Sequence, residues 1–239
     1  MRIFLAGAAG AIGRPLTRLL VAAGHAVTGT TRSAEKAAAI EAAGAKAVVV
    51  DACDGDAVLA AVTAARPEVV IHQLTDLPQT RDPKTYPAAL AANARLRILA
   101  TPNLALAARL AGARRFIAQS VAFAYEPGAA PRREEDPLDF AGTRAVLLRG
   151  VIALEAVTLG TPGLPGIVLR YGYLYGPGTW YAKPEGPGFV HVEAAAQAAL
   201  AAVSRGSPGV YNIAEDDGAI AIDKARRDLD FDPKVRVAS

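Results

Sequence analysis

The chain has 239 residues, of which 52% are hydrophobic and 21% charged, with a formal net charge of +3 and a single cysteine, Cys53. That length suits one α/β unit with at most a small appendage, and one cysteine excludes an internal disulfide and cannot by itself make a zinc site. No apolar run approaches the ~20 residues of a membrane span, and the basic residues are scattered, Arg132-Arg133 being followed at once by Glu134-Glu135-Asp136, which excludes a nucleic-acid-binding stripe.

Arg2-Ile3-Phe4-Leu5-Ala6 is a short apolar run, and Gly7-Ala8-Ala9-Gly10-Ala11-Ile12-Gly13 interrupts it before an amphipathic segment from Arg14 to Ala23. His25 to Thr31 then returns as a second apolar run. The order predicts strand, glycine turn, helix and strand, within the length of a parallel crossover. Gly7 allows the tight turn, Gly10 lets the backbone approach a pyrophosphate and Gly13 lets the helix pack against the strand. The turn residues Gly7, Ala9, Gly10, Ala11, Ile12 and Gly13 are therefore expected to cradle a dinucleotide at the helix N-terminus. The chain begins directly with a strand and lacks the succession of a signal peptide, so a cytoplasmic location is expected.

An NAD-preferring site usually carries an acidic residue at the end of the second strand to bind the ribose 2′-hydroxyl. Here the residues are Thr30-Thr31-Arg32-Ser33. Arg32 offers a planar donor fork suited to a 2′-phosphate, with Thr31 and Ser33 beside it. NADP is favoured as cofactor, with NAD as the alternative. Ser33 also suits the N-cap of a helix over Ala34 to Ala43.

The glycine turn and its flanking strands resemble the start of a short-chain dehydrogenase/reductase of the extended, epimerase/dehydratase type. The resemblance implies a doubly wound parallel Rossmann sheet of about seven strands with a small, reduced C-terminal cap. Residues 1–170 would form the dinucleotide-binding part, and residues 171–239 a substrate-binding portion interleaved with the last strands. A third strand over Ala45 to Val50 ends at Asp51-Ala52. Asp51 resembles the family position that contacts the adenine amino group, or else is loop beside Asp54, a cap for the next helix. Glu68 to Leu74 is an apolar, central strand, and Leu74 and Thr75 should border the cofactor. His72 lies within that strand and reads as structural. A long helix from Ala88 to Gly112 follows, with Pro102 positioned to kink or divide it.

Arg114 to Ser120 is the fifth strand, with Gln119 and Ser120 at its C-terminal edge. Ser120 falls at the position where the family's serine or threonine bonds the substrate oxygen. The family pairs it with a tyrosine and, four residues on, a lysine on the next helix, here Arg144 to Leu159. Counting back from Leu154-Glu155, the two positions are Leu147 and Val151, both apolar. The usual proton path is therefore missing, and the candidate acids are Tyr125 or a tyrosine of the 171 to 181 loop, above all Tyr171 and Tyr175.

Gly166 to Arg170 is a sixth strand, and Tyr171-Gly172-Tyr173-Leu174-Tyr175-Gly176-Pro177-Gly178 resembles the family segment RYxNVYGPG. Arg170 and Tyr171 are expected at the cofactor, and the aromatic residues of this loop either pack it or stack on substrate. Phe189-Val190-His191-Val192, Val210 to Ala214 and Asp223 to Pro233 carry the resemblance to the end of the chain. Three readings follow: an atypical NADP-dependent oxidoreductase of a small-molecule substrate, a non-catalytic NADP sensor, or a sugar-nucleotide epimerase or dehydratase. A homodimer through the two long helices is expected, with no nucleic acid, membrane or metal partner.

Overall fold

Strands buried on both faces of a parallel sheet have no polar side to show, so they read as short continuous apolar runs. In the computed structural model, which describes residues 1–78, 80, 82–139 and 145–236, these runs become β1 (Arg2–Ala6), β2 (Ala26–Thr31), β3 (Lys46–Val49), β4 (Val69–His72), β5 (Arg115–Val121), β6 (Gly166–Tyr171) and β9 (Gly209–Ile213). They form one sheet in the order β3-β2-β1-β4-β5-β6-β9, every neighbouring pair parallel. The short strands β7 (Tyr173–Tyr175) and β8 (Phe189–His191) pair separately.

The crossovers are α1 (Gly13–Ala22), α2 (Ala34–Ala42), α3 (Gly55–Ala65), α4 (Tyr86–Leu110), α5 (Ala145–Gly160) and α6 (Val192–Ala202), with α7 (Asp223–Leu229) following β9. The expected start of the fifth helix at Arg144 lies outside the described residues. Leu16 and Leu20 of α1 enter a core with the alanines of α6, while Val58 and Val62 of α3 and Leu96 and Leu104 of α4 build a second core on the other face. Each fully buried Leu or Val contributes about 1.5–3 kcal/mol. The chain moves outward from β1 through β2 to β3, then returns to the other side of β1 as β4. That reversal opens a crevice at the C-terminal edge of β1 and β4, the binding place in doubly wound sheets.

Two local expectations change. Pro102 does not divide α4, which runs unbroken from Tyr86 to Leu110; the carbonyl deprived of its N–H partner belongs to Ile98, which is half-exposed and can be hydrated. Strand β5 continues one residue beyond Ser120, to Val121. Among the described residues no helix is long and apolar enough to cross a membrane.

Candidate functional site at the C-terminal sheet edge

The turn after β1 is shaped by the absence of side chains. Gly7 has φ of +90°, and a Cβ there would lie 2.8 Å from the Gln73 carbonyl oxygen. A Cβ on Gly13 would meet the Gly7 carbonyl oxygen at 2.0 Å, which no side chain can do. At Gly10 the nearest obstacle is the same oxygen at 3.2 Å, and Ala9, Gly10 and Ala11 keep their outer face accessible. The turn is tied back to β2 by Gly7 N–H donating to Thr30 Oγ1 at 3.2 Å and Ala8 N–H to the Thr30 carbonyl at 3.1 Å. Helix α1 follows with Ile12 at its N-cap, no side-chain cap and no acidic residue in its first turn. Arg14 N–H bonds the Gly10 carbonyl at 3.0 Å, so what α1 offers an anion is its positive dipole end behind a turn without side chains, and the residues present fit a dinucleotide pyrophosphate.

At the adenosine end, Thr31 is buried at the end of β2 and its Oγ1 accepts the Ser33 N–H. Ser33 caps α2, its Oγ accepting Lys36 N–H at 3.4 Å. Asp51 accepts the Cys53 N–H at 2.9 Å and stays exposed, while Asp54 caps α3. Ala52 is buried, with its carbonyl accepting from Asn103 Nδ2. Leu74 donates its N–H to His72 Nδ1, and Thr75 is exposed beyond it.

Arg32 is half-exposed, and its Nη2 lies 2.7 Å from Asp76 Oδ1. Sequence reasoning finds no carboxylate beside this arginine because Asp76 is 44 residues away. It comes from the loop after β4, whose backbone Asp76 N–H is held by Asn93 Oδ1 of α4 at 2.9 Å. Only the strand order, which puts β2 and β4 on either side of β1, could have revealed it. The carboxylate raises the Arg32 pKa further through this hydrogen bond, so the fork remains a cation.

The candidate catalytic residues separate by strand alternation. Ser120 and Arg170 stand in register on β5 and β6 and share one face. Ser120, expected to present its hydroxyl to substrate, is instead completely buried and donates to Glu155 Oε1 of α5 at 2.6 Å. Arg170, expected at the cofactor, is bound to the same carboxylate: Nε to Oε1 at 2.9 Å and Nη2 to Oε2 at 2.7 Å. Its Nη1 donates to Tyr125 Oη and to the Glu134 carbonyl. Tyr125 in turn donates to Asn212 Oδ1 at 2.6 Å, and burial raises its pKa. Ser120, Tyr125 and Arg170 are therefore joined in a hydrogen-bonded clamp between β5, α5, β6 and β9.

The opposite face carries Gln73, Gln119 and Tyr171. Gln73 Nε2 donates to Tyr171 Oη at 3.2 Å, and the buried Gln73 Oε1 has no partner among the described residues. Burial holds the Tyr171 phenol well above its ordinary pKa. Tyr175 is the most accessible of the four candidates, yet its hydroxyl donates to Glu215 Oε1 at 2.8 Å and accepts from Arg236 Nη2. Burial and Glu215 raise its pKa. On α5, Leu147 and Val151 are both buried in the core.

The aromatic loop is packed. Phe123 stacks on Tyr173 with centroids 4.1 Å apart, and Tyr173, Tyr175 and Tyr181 all contact the Phe189 ring. Trp180 Nε1 donates to the Pro78 carbonyl at 2.8 Å and its ring meets Tyr86 edge-on. The loop thereby reaches across to the segment between β4 and α4 and borders the crevice.

His72 belongs to the core. Its Nδ1 accepts the Leu74 N–H, so Nε2 carries the proton and donates to Thr101 Oγ1 at 3.2 Å, which donates to the Arg97 carbonyl at 2.6 Å. Burial, then the nearby Arg97 charge, lowers its pKa to about 3.

A family profile described as NAD(P)H-binding matches residues 7–173. The chain is 43% identical over 244 aligned positions, covering 92% of its own length and 78% of the relative's, to a 3-diazoavenalumate denitrifying reductase of a Streptomyces species. Among solved structures it resembles the UDP-glucose 4-epimerase of Thermotoga maritima, bound to UDP-glucose, at 19% identity and a TM-score of 0.78, over 99% of this chain and 94% of that one. It also resembles the Bordetella bronchiseptica enzyme WbmG in complex with NAD and UDP, at 19% identity and a TM-score of 0.75, over 99% and 90% of the two chains. At that identity the structural likeness speaks to the Rossmann fold alone.

Proposed function

Because this chain belongs to the NAD(P)H-binding family of Rossmann-fold proteins and is related over most of its length to a reductase, we propose that it is an NADPH-dependent reductase whose acceptor takes hydride without a proton from the protein. The observation that carries this is the apolar character of α5, where Leu147 and Val151 are buried. The candidate phenols, moreover, are engaged within the protein. A carbonyl becomes an alkoxide on receiving hydride and needs an acid. An arenediazonium would not: hydride supplied by a bound NADPH would form the new C–H bond while the C–N bond breaks, and the electron pair of that bond would leave with dinitrogen. The acceptor class we propose is accordingly an aromatic diazonium, in line with the diazo substrate in the name of the 43% identical relative.

Within this reading the glycine turn and α1 hold the pyrophosphate, and Arg32 turns from Asp76 to a 2′-phosphate. Gln119, Val121 and Tyr171 border the nicotinamide end. The aromatic residues around Tyr173 and Phe189, in the 171–236 portion, receive a flat substrate. The exposed Ile98, Leu99, Leu106 and Leu110 of α4 and Val146 and Leu159 of α5 support a dimer through these helices. Sedimentation velocity tests that part.

The functional experiment is NADPH oxidation with benzenediazonium and with a carbonyl panel, each corrected for the enzyme-free rate, repeated with NADPH deuterated at C4 and in D2O. The reading predicts arene deuterium from the cofactor and none from solvent. Turnover of carbonyls with an inert diazonium would overturn it. Dinucleotide binding without turnover of any acceptor would instead favour a sensor, the second reading that the engaged phenols allow.

A further inference from the structure

Helix α1 carries its positive charges where a helix least favours them. Arg14 stands in the first turn and Arg18 one turn later, on the same face, and no acidic residue occupies that first turn. Cations at a helix N-terminus oppose the positive end of the macrodipole, and like charges one turn apart repel each other. Both side chains are exposed. Among the described residues, none of the ion pairs includes either arginine. The local cost is therefore not offset within the protein.

The two arginines line an open cavity of about 460 Å³, whose other walls join the dinucleotide turn to the aromatic strands. Ala11 belongs to the turn. Gly178 follows β7, while Val192 and Glu193 follow β8. Strands β7 and β8 pair in parallel, with Tyr173 opposite Phe189 and Tyr175 opposite His191, so the segments that follow them emerge at the same end. A Cβ on Gly178, whose φ is +78°, would run into Arg14 Nη2. The loop thus omits a side chain where the guanidinium lies against it. Among the described lining residues Glu193 carries the carboxylate, and its Oε2 lies 3.8 Å from His191 Nδ1, which accepts the Glu193 N–H. Two guanidinium groups against one carboxylate leave the cavity positive, and the dipole end of α1 adds to that charge.

We infer that Arg14 and Arg18 bind the carboxylate of an aromatic acid substrate: the ring lies against the aromatic residues of β7 and β8, and its acidic arm reaches the cavity where the two strands end. This rests on the reductase reading above and narrows its acceptor to an arenediazonium that carries a carboxylate. A strand of three residues is about 10 Å long, the span of an aromatic ring with a short carboxylate arm. Arginine suits this end because its planar fork takes a carboxylate through two parallel hydrogen bonds. The substrate then supplies the negative partner that the charges of α1 lack.

The test compares 4-(2-carboxyvinyl)benzenediazonium with its methyl ester in NADPH oxidation, for wild type, Arg14→Gln, Arg18→Gln and the double variant. Calorimetry of the same proteins with cinnamate and with NADPH measures binding without turnover. Wild type should favour the acid over the ester by about 10-fold in kcat/KM, with the preference residing in KM, and the double variant should bring the ratio to about 1. Cinnamate should bind the double variant about 10-fold more weakly, with NADPH affinity kept within about 2-fold. Replacing both arginines by lysine should restore part of the preference, and added salt should erode it in wild type. A wild-type ratio near 1, or a ratio unchanged in the double variant, would overturn the inference. So would an equal loss of NADPH and cinnamate binding, which would give the arginines to the cofactor. If neither diazonium is turned over, the reductase reading fails and cinnamate decides the site by itself: binding that depends on the arginines supports it, and binding that is absent or independent of them overturns it. Thermal unfolding establishes that the variants are folded.

Discussion

Changing Asp76 to Asn removes the charge that holds Arg32 while leaving a side chain of the same shape. The pair stands at 2.7 Å with side-chain exposures of 55% for Arg32 and 35% for Asp76. A pair this open to solvent contributes about 0–1 kcal/mol to stability, so the variant should lose little in thermal unfolding. Its effect on NADPH should be larger and of opposite sign. A 2′-phosphate must compete with Asp76 for the Arg32 fork and must also approach a carboxylate of its own charge. Releasing both penalties should strengthen NADPH binding by about 1 kcal/mol, roughly 5-fold, and should leave NADH within experimental error. Arg32→Ala should weaken NADPH by about 1–3 kcal/mol, again sparing NADH. In the double variant the gain from Asp76→Asn should largely disappear, since its benefit acts through Arg32. Titration calorimetry of the four proteins with both cofactors, at low and moderate salt, measures the complete cycle. If Asp76→Asn weakens NADPH, or changes NADH equally, then Arg32 and Asp76 do not flank the 2′ position and the argument for NADP fails.

Gly13→Ala places a methyl 2.0 Å from the Gly7 carbonyl oxygen, so the turn must shift. Chemical denaturation should show a loss of about 1–3 kcal/mol, and dinucleotide binding should fall more than that of an equally destabilised core variant. Glu155→Ala leaves Arg170 buried opposite an empty space and should cost about 3–5 kcal/mol; unfolding at an unchanged denaturant midpoint would refute the clamp. For His72, the folded pKa of about 3 lies below the ordinary 6.5, so the unfolded chain binds the proton more readily. Its contribution to stability is full above pH 6.5 and is lost as pH falls toward 3. Between pH 7 and pH 5 the loss should be about 2 kcal/mol. Denaturation curves of His72→Leu at the two pH values should show this increment missing, and an unchanged pH slope would refute it.

The order of elements was legible because each signal is local. A strand enclosed on both faces must be apolar, a phosphate-binding turn must omit its side chains, and an exposed helix start needs a cap such as Ser33 or Asp54. Gly7 and Gly13 could be assigned their purposes from spacing alone, and the geometry supplied the obstructing oxygens. The direction of a side chain was less legible than the element that carries it. Ser120 was expected at an open edge, whereas alternation along β5 turns the serine toward Glu155. The same alternation takes Arg170 to the interior while Tyr171 faces the other way.

What the amino-acid order determined by itself is therefore the strand-turn-helix succession and the side-chain-free turn between β1 and α1. Each depends on residues within a few positions of one another. What only the tertiary structure decided is which charges meet: Asp76 reaching Arg32 across β1, and Glu155 bridging Ser120 and Arg170. Those encounters depend on strand order and on which way a side chain leaves its element. Electrostatic partners are chosen by distance in space, and a distance of 44 residues along the chain for one pair and 35 for another carries no trace of it.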